Sequence, residues 1–111
     1  MVGRRDLVVI DPGDPSEASI RAIEAVADRR GGRLRAVVLS ATDPDHAAGA
    51  EALAIPHELP ILVAPGAGRR LPYATREVTE GERLPSDVPT SVRLTAHGLV
   101  AWRGDARSAG E

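Results

Sequence analysis

The chain has 111 residues, with 14 basic residues, all arginine, against 16 acidic ones, for a formal net charge of -2. That length supports one domain spanning residues 1–111, and the absence of cysteine excludes a disulfide framework or a thiolate zinc site, so any metal would need histidine and carboxylate ligands. Interspersed charge, with Tyr73 and Trp102 the only aromatics, excludes a basic nucleic-acid stripe, a base-stacking platform and a polybasic membrane patch.

No nucleic-acid or membrane partner is expected. Residues 1–6 lead into an apolar stretch too short for a signal-peptide core or a membrane span, so a cytoplasmic location is expected.

Leu7-Val8-Val9-Ile10 is an apolar, mostly β-branched run closed by Asp11-Pro12-Gly13, the pattern of a strand buried on both faces. Asp14 offers an N-cap, with Pro15 at the first helical position and Glu17 three residues past the cap. Ile20, Ile23, Val26 and Ala27 then recur at helical spacing until Gly31-Gly32 supplies a stop. Leu34 to Leu39 is a second apolar run, and strand, helix and strand in this spacing predict a parallel βαβ unit and an α/β fold.

The polar turn Ser40-Ala41-Thr42-Asp43-Pro44-Asp45-His46 precedes an alanine-rich segment, Ala47 to Ile55, that reads as a second helix ending before Pro56. Ile61 to Ala64, between prolines, is a third strand, and 66–72 is expected to be a mobile loop. Its glycines and arginines lack the lysine and following Ser or Thr of a phosphate-binding P-loop. Farther on, 76–79 and 83–84 flank Glu80-Gly81 as a hairpin, and 91–95 and 99–102 are strands on either side of Ala96-His97-Gly98, which makes the C-terminal half β-rich. Residues 104–111 read as a frayed tail, and His57 as a solvated loop histidine.

Asp43, Asp45 and His46 lie just past the carboxyl end of a buried strand, where open α/β sheets place their ligands. Two carboxylates and an imidazole this close can converge on one divalent ion. The same residues also fit a plain structural role: Asp43 before Pro44 initiates a turn, and Asp45 caps the following helix with His46 in its first turn.

The order of these features resembles the metallo-β-lactamase superfamily. The resemblance rests on Leu7-Val8-Val9-Ile10-Asp11-Pro12-Gly13, a helix, then Ala36-Val37-Val38-Leu39-Ser40 running into Ala41-Thr42-Asp43-Pro44-Asp45-His46 and the small-residue start Ala47-Ala48-Gly49-Ala50. Pro60 to Ala64 and Glu80-Gly81-Glu82-Arg83-Leu84 are similar to the family's next strand and its Asp-Gly-Asp turn. It implies a reduced, half αββα sandwich, in which the family's His-x-His-x-Asp-His motif is degenerate: Ala41 and Asp43 stand at the first two histidines, and Asp45 and His46 keep the aspartate and third histidine.

The resemblance further implies a metal set of Asp43, Asp45, His46, Asp105 and His97. Asp45 is then the catalytic carboxylate, Asp105 is a bridging ligand from the Gly104-Asp105 pair, and Asp11 orients the loop from behind. The cofactor expected is one divalent ion, zinc before manganese or iron, or none. Family members are longer, and the resemblance places their final histidine beyond what this sequence matches. Two functions follow as expectations: a metal-dependent hydrolase with an incomplete site, or a non-catalytic scaffold that forms a homodimer or binds a protein partner.

Overall fold

Short β-branched runs between turn residues form parallel strands here because every second side chain can be buried on each face of one sheet. The computed structural model describes residues 1–96 and 98–103, with Asp45 and Arg103 described in their backbone only. In chain order the elements are β1 (Asp6–Ile10), α1 (Glu17–Arg29), β2 (Arg33–Val38), α2 (Pro44–His57), β3 (Ile61–Val63), a 3-10 turn (Ala67–Arg70), β4 (Arg76–Glu77), β5 (Thr90–Thr95) and β6 (Gly98–Arg103). The first four strands form one sheet in the order β1-β2-β3-β4, each pair parallel, and β5 and β6 form an antiparallel hairpin.

The two faces of the parallel sheet are packed differently. Val9, Val37, Leu39, Ile61 and Val63 face Ala50, Leu53 and Ala54 of α2 and Ile20 and Ile23 of α1. Val8, Ala36, Val38 and Leu62, one residue out of phase, face Val92 and Leu99 of the hairpin together with Val78 and Leu84. Both crossover helices thus cover one face, as two crossovers of the same hand moving in one direction require. The hairpin covers the other. This three-layer arrangement of helices, parallel sheet and antiparallel strands is the α/β class expected, compatible with a reduced metallo-β-lactamase-like fold, with a βαβ start and a β-rich end.

Several local expectations change. Ser16, not Asp14, caps α1: its hydroxyl accepts from the Ser19 N–H at 3.2 Å, while Asp14 accepts from the Ser16 N–H at 2.8 Å and shapes the turn before it. Helix α2 begins at Pro44, three residues before the predicted start, and takes Pro56 into its last turn, ending on Glu58 in the left-handed region (φ 54). Lacking an N–H, Pro56 makes no bond back to the Ala52 carbonyl, and the helix ends one residue later, at His57. That extension places His57 in the helix, where Nε2 meets the Glu24 carboxylate of α1 at 2.7 Å, so it ties the helices together and is no isolated loop residue.

Residues 76–77 do not pair with 83–84; they add a fourth parallel strand beside β3, and Arg83 bridges Ser91 instead. Residues 66–72, expected as a mobile loop, include a turn of 3-10 helix. Among the described residues no helix is long and apolar enough to cross a membrane.

Candidate functional site

Three kinds of contact hold the loops at the carboxyl ends of β1 and β2 to each other and to their neighbours. Asp11 ends β1 in the left-handed region (φ 48), a conformation that aspartate tolerates better than most residues. Its N–H donates to the Val38 carbonyl at 2.9 Å, and its carboxylate accepts from the Ser40 N–H at 2.9 Å and from the Ser40 hydroxyl. The loop after β1 therefore fixes the loop after β2.

Glycines make the second contact. A Cβ on Gly49 of α2 would lie 1.9 Å from the Gly13 carbonyl oxygen, so the small residues that open α2 let its backbone rest on the Asp11-Pro12-Gly13 turn. The third comes from the hairpin: Gly98 (φ 148) leaves room for the Ser40 carbonyl, which a Cβ there would meet at 1.8 Å, and the Leu99 N–H donates to that carbonyl at 3.2 Å. The loop after β3 is anchored separately, by the Gly66 N–H donating to Glu77 of β4 at 2.7 Å.

Where these loops meet lies a cleft of ≈ 460 Å³, floored by Ser40, Ala41 and Thr42, with Gly66 and Arg70 on one side and Thr95 on the other. Its position outside the carboxyl ends of parallel strands is where such sheets bind ligands.

At its edge, Asp43 follows Thr42 and caps α2. One carboxylate oxygen accepts from the His46 N–H at 3.2 Å and the other is bonded to His46 Nδ1. The side-chain bond to His46, joined by the His46 N–H, holds the Asp43 carboxyl below its ordinary range. Asp43 is therefore ionised near neutrality and can only accept, which puts the proton on Nδ1 and the imidazole lone pair of the neutral ring on Nε2.

Of the residues named from the sequence, the structure brings together Asp43 and His46 at the start of α2, and Asp11 against Ser40. The side chain of Asp45, His97 and Asp105 lie outside the described residues. The cap falls to Asp43, not to Asp45 as the structural alternative had it.

The sequence profile of the metallo-beta-lactamase superfamily matches residues 1–109. The chain belongs to that superfamily. No curated protein matches it. The superfamily typically binds divalent metals, so the donor set of this chain bears on its function. Ala41 carries no donor atom, and both oxygens of Asp43 already serve His46, so these two positions do not fit the first ion of the superfamily's metal pair. Among the described residues no group of three His, Asp or Glu side chains is placed to hold an ion.

Sequence reasoning missed Arg70 and Thr95 as cleft residues. They come from the 3-10 turn and from β5, far from the Asp43 motif in sequence; the β2–β3 pairing brings Arg70, and the packing of the hairpin onto the parallel sheet brings Thr95, beside Ser40 to Thr42.

Proposed function

We propose that this chain keeps the metallo-β-lactamase scaffold as a binding module without the superfamily's two-metal hydrolysis. The observation that carries this reading is the loop after β2, where Ala41, lining the cleft, offers no donor atom and Asp43, at the cleft edge, is bonded to His46 through both oxygens. A carboxylate so engaged would have to give up the helix cap to reach an ion. As a scaffold the chain would present Val100 and Trp102, exposed on the outer face of the β5–β6 hairpin, to a second copy or a protein partner.

The Asp43–His46 pair favours one further reading, a single-ion hydrolase. Metal-ligating histidines characteristically give their second ring N–H to a carboxylate, as His46 gives Nδ1–H to Asp43. In that reading His46, Asp45 and Asp105, with His97, would hold one zinc ion, Asp43 would orient the imidazole, and Asp11 would hold the loop. The ion would supply Lewis-acid polarisation of water and of a carbonyl or phosphoryl group.

Calorimetric zinc titration, paired with a screen of small esters, thioesters and phosphodiesters, separates the two. The module reading predicts no turnover that differs between the wild type and an Asp45→Ala/His46→Ala variant. Zinc-dependent turnover abolished by that variant would replace it with the single-ion hydrolase.

A further inference from the structure

We infer that the cleft at the carboxyl ends of β2 and β3 binds the oxyanion of a small organic acid, a carboxylate or a phosphate monoester, with Arg70 as its counter-charge. The inference rests on the module reading, in which no metal pair occupies this end of the sheet.

Among the described residues Arg70 is the only ionisable side chain lining the cleft. Among the described residues it has no ion-pair partner, like its neighbour Arg69 and unlike Arg21, Arg33 and Arg76, which each face a carboxylate. The carboxylates of Asp11 and Glu77 accept from N–H groups of the cleft loops, at Ser40 and Gly66.

The backbone at Arg70 is held from both sides. Gly68, two residues before it, packs so closely on Thr75 that a Cβ would lie 2.3 Å from the threonine hydroxyl. Leu71, directly after it, packs into the helix-side core and donates its N–H to Gly68 at 3.2 Å. The guanidinium that Arg70 carries is exposed at the cleft, and its planar fork of donors is the group by which arginine recognises carboxylate and phosphate oxygens.

The rest of the lining suits a small polar ligand. Thr42 and Thr95 bring hydroxyls to the floor and the far wall, and Ala64, Pro65 and Ala67 give an apolar side. The ≈ 460 Å³ volume matches pockets that enclose small molecules. Ala41 contributes to that space: an imidazole at this position would fill part of the floor.

The test is titration of the zinc-free, isotope-labelled chain with benzoate and with phenyl phosphate, followed by amide and arginine Nε–H shifts. The expected result is saturable shifts centred on Thr42, Gly66, Arg70 and Thr95. Binding by one probe alone assigns the oxyanion as carboxylate or phosphate. Arg70→Ala, at an exposed position that leaves the core untouched, should weaken binding about tenfold or more, the usual effect of losing a charged hydrogen-bond partner, and Arg70→Lys should restore part of it. Ala41→Leu should block binding by filling the floor.

Absence of saturable shifts with either probe, or binding unchanged in Arg70→Ala, overturns the inference. Repeating the titration with zinc keeps the two claims apart. Anion binding that requires two zinc ions would overturn the module reading, whereas no binding in a chain that takes up no zinc pair overturns only the anion site.

Discussion

Asp11 accepts two hydrogen bonds from one residue, Ser40, whose N–H at 2.9 Å and hydroxyl both reach its carboxylate from the far side of the β1–β2 pair. This clamp joins the ends of two parallel strands and sets the floor of the cleft. In Asp11→Ala the Ser40 N–H loses its acceptor in a half-buried setting and alanine must take up a positive φ. A loss of about 1–3 kcal/mol in urea unfolding is expected. Asp11→Asn, which keeps an acceptor oxygen and tolerates the left-handed region, should lose clearly less.

Gly49 and Gly98 are close-approach positions. Gly49→Ala drives a methyl into the Gly13 carbonyl, and Gly98→Ala drives one into the Ser40 carbonyl from a φ that side chains rarely adopt. Each should destabilise by about 1–3 kcal/mol or more, as overpacking does. The Gly98 variant should in addition shift the amide resonances of Ser40 and Ala41, because its clash lies on the cleft floor. Gly31→Ala is the control for backbone strain alone: its φ is 62 with open space around it, so it should leave the cleft resonances in place.

The parallel core was legible because its signals are local. The runs at 7–10 and 61–64 are apolar at every position and that at 34–39 is broken only by Arg35, the mark of strands buried on both faces, and the glycines after α1 stop it within its own sequence. Caps were less certain, since Asp14 and Ser16 both suit an N-cap and only the Ser16 hydroxyl reaches the Ser19 N–H. Asp43 and Asp45 posed the same choice, settled by which carboxylate reaches the His46 N–H.

Strand β4 was misread because two residues, Arg76 and Glu77, carry no burial pattern; they are strand only because β3 offers them an open edge. The cleft was legible only through the loop after β2. Its other walls come from segments that no short motif links to that loop.

Acid should weaken the fold through carboxylates that hold the chain together. Asp87 accepts from the N–H groups of Arg4 at 2.7 Å and Arg5 at 3.0 Å, and these bonds hold its carboxyl below the ordinary 3.8. Asp43 is lowered in the same way by His46. A carboxyl lowered in the folded state stabilises it above the unfolded value, and that contribution disappears as pH falls through the folded one. The urea midpoint should therefore fall as pH drops from about 4 downward. In Asp87→Asn the midpoint should be lower at pH 7 and the decline shallower. An unchanged slope would show that the Asp87 clamp carries none of it.

The Asp43 cap predicts an order among variants. Asp43→Ser, which keeps a capping oxygen, should melt within a few degrees of the wild type, and Asp43→Ala should melt lower with a loss of helical circular dichroism. Asp43→His, which restores the superfamily's histidine, should also lose the cap. Combined with Ala41→His it should nevertheless bind zinc more tightly than the wild type, as competition with a zinc-sensitive chelating dye would register.

The central claim is that the scaffold persists without the two-metal centre. Its most direct test is the zinc count per chain, by inductively coupled plasma mass spectrometry, on untagged protein purified without chelator and then incubated with excess zinc. The account predicts no more than one zinc per chain, because Ala41 offers no ligand and Asp43 is held by His46. Two zinc ions per chain, lost together in an Asp45→Ala/His46→Ala variant, would contradict it.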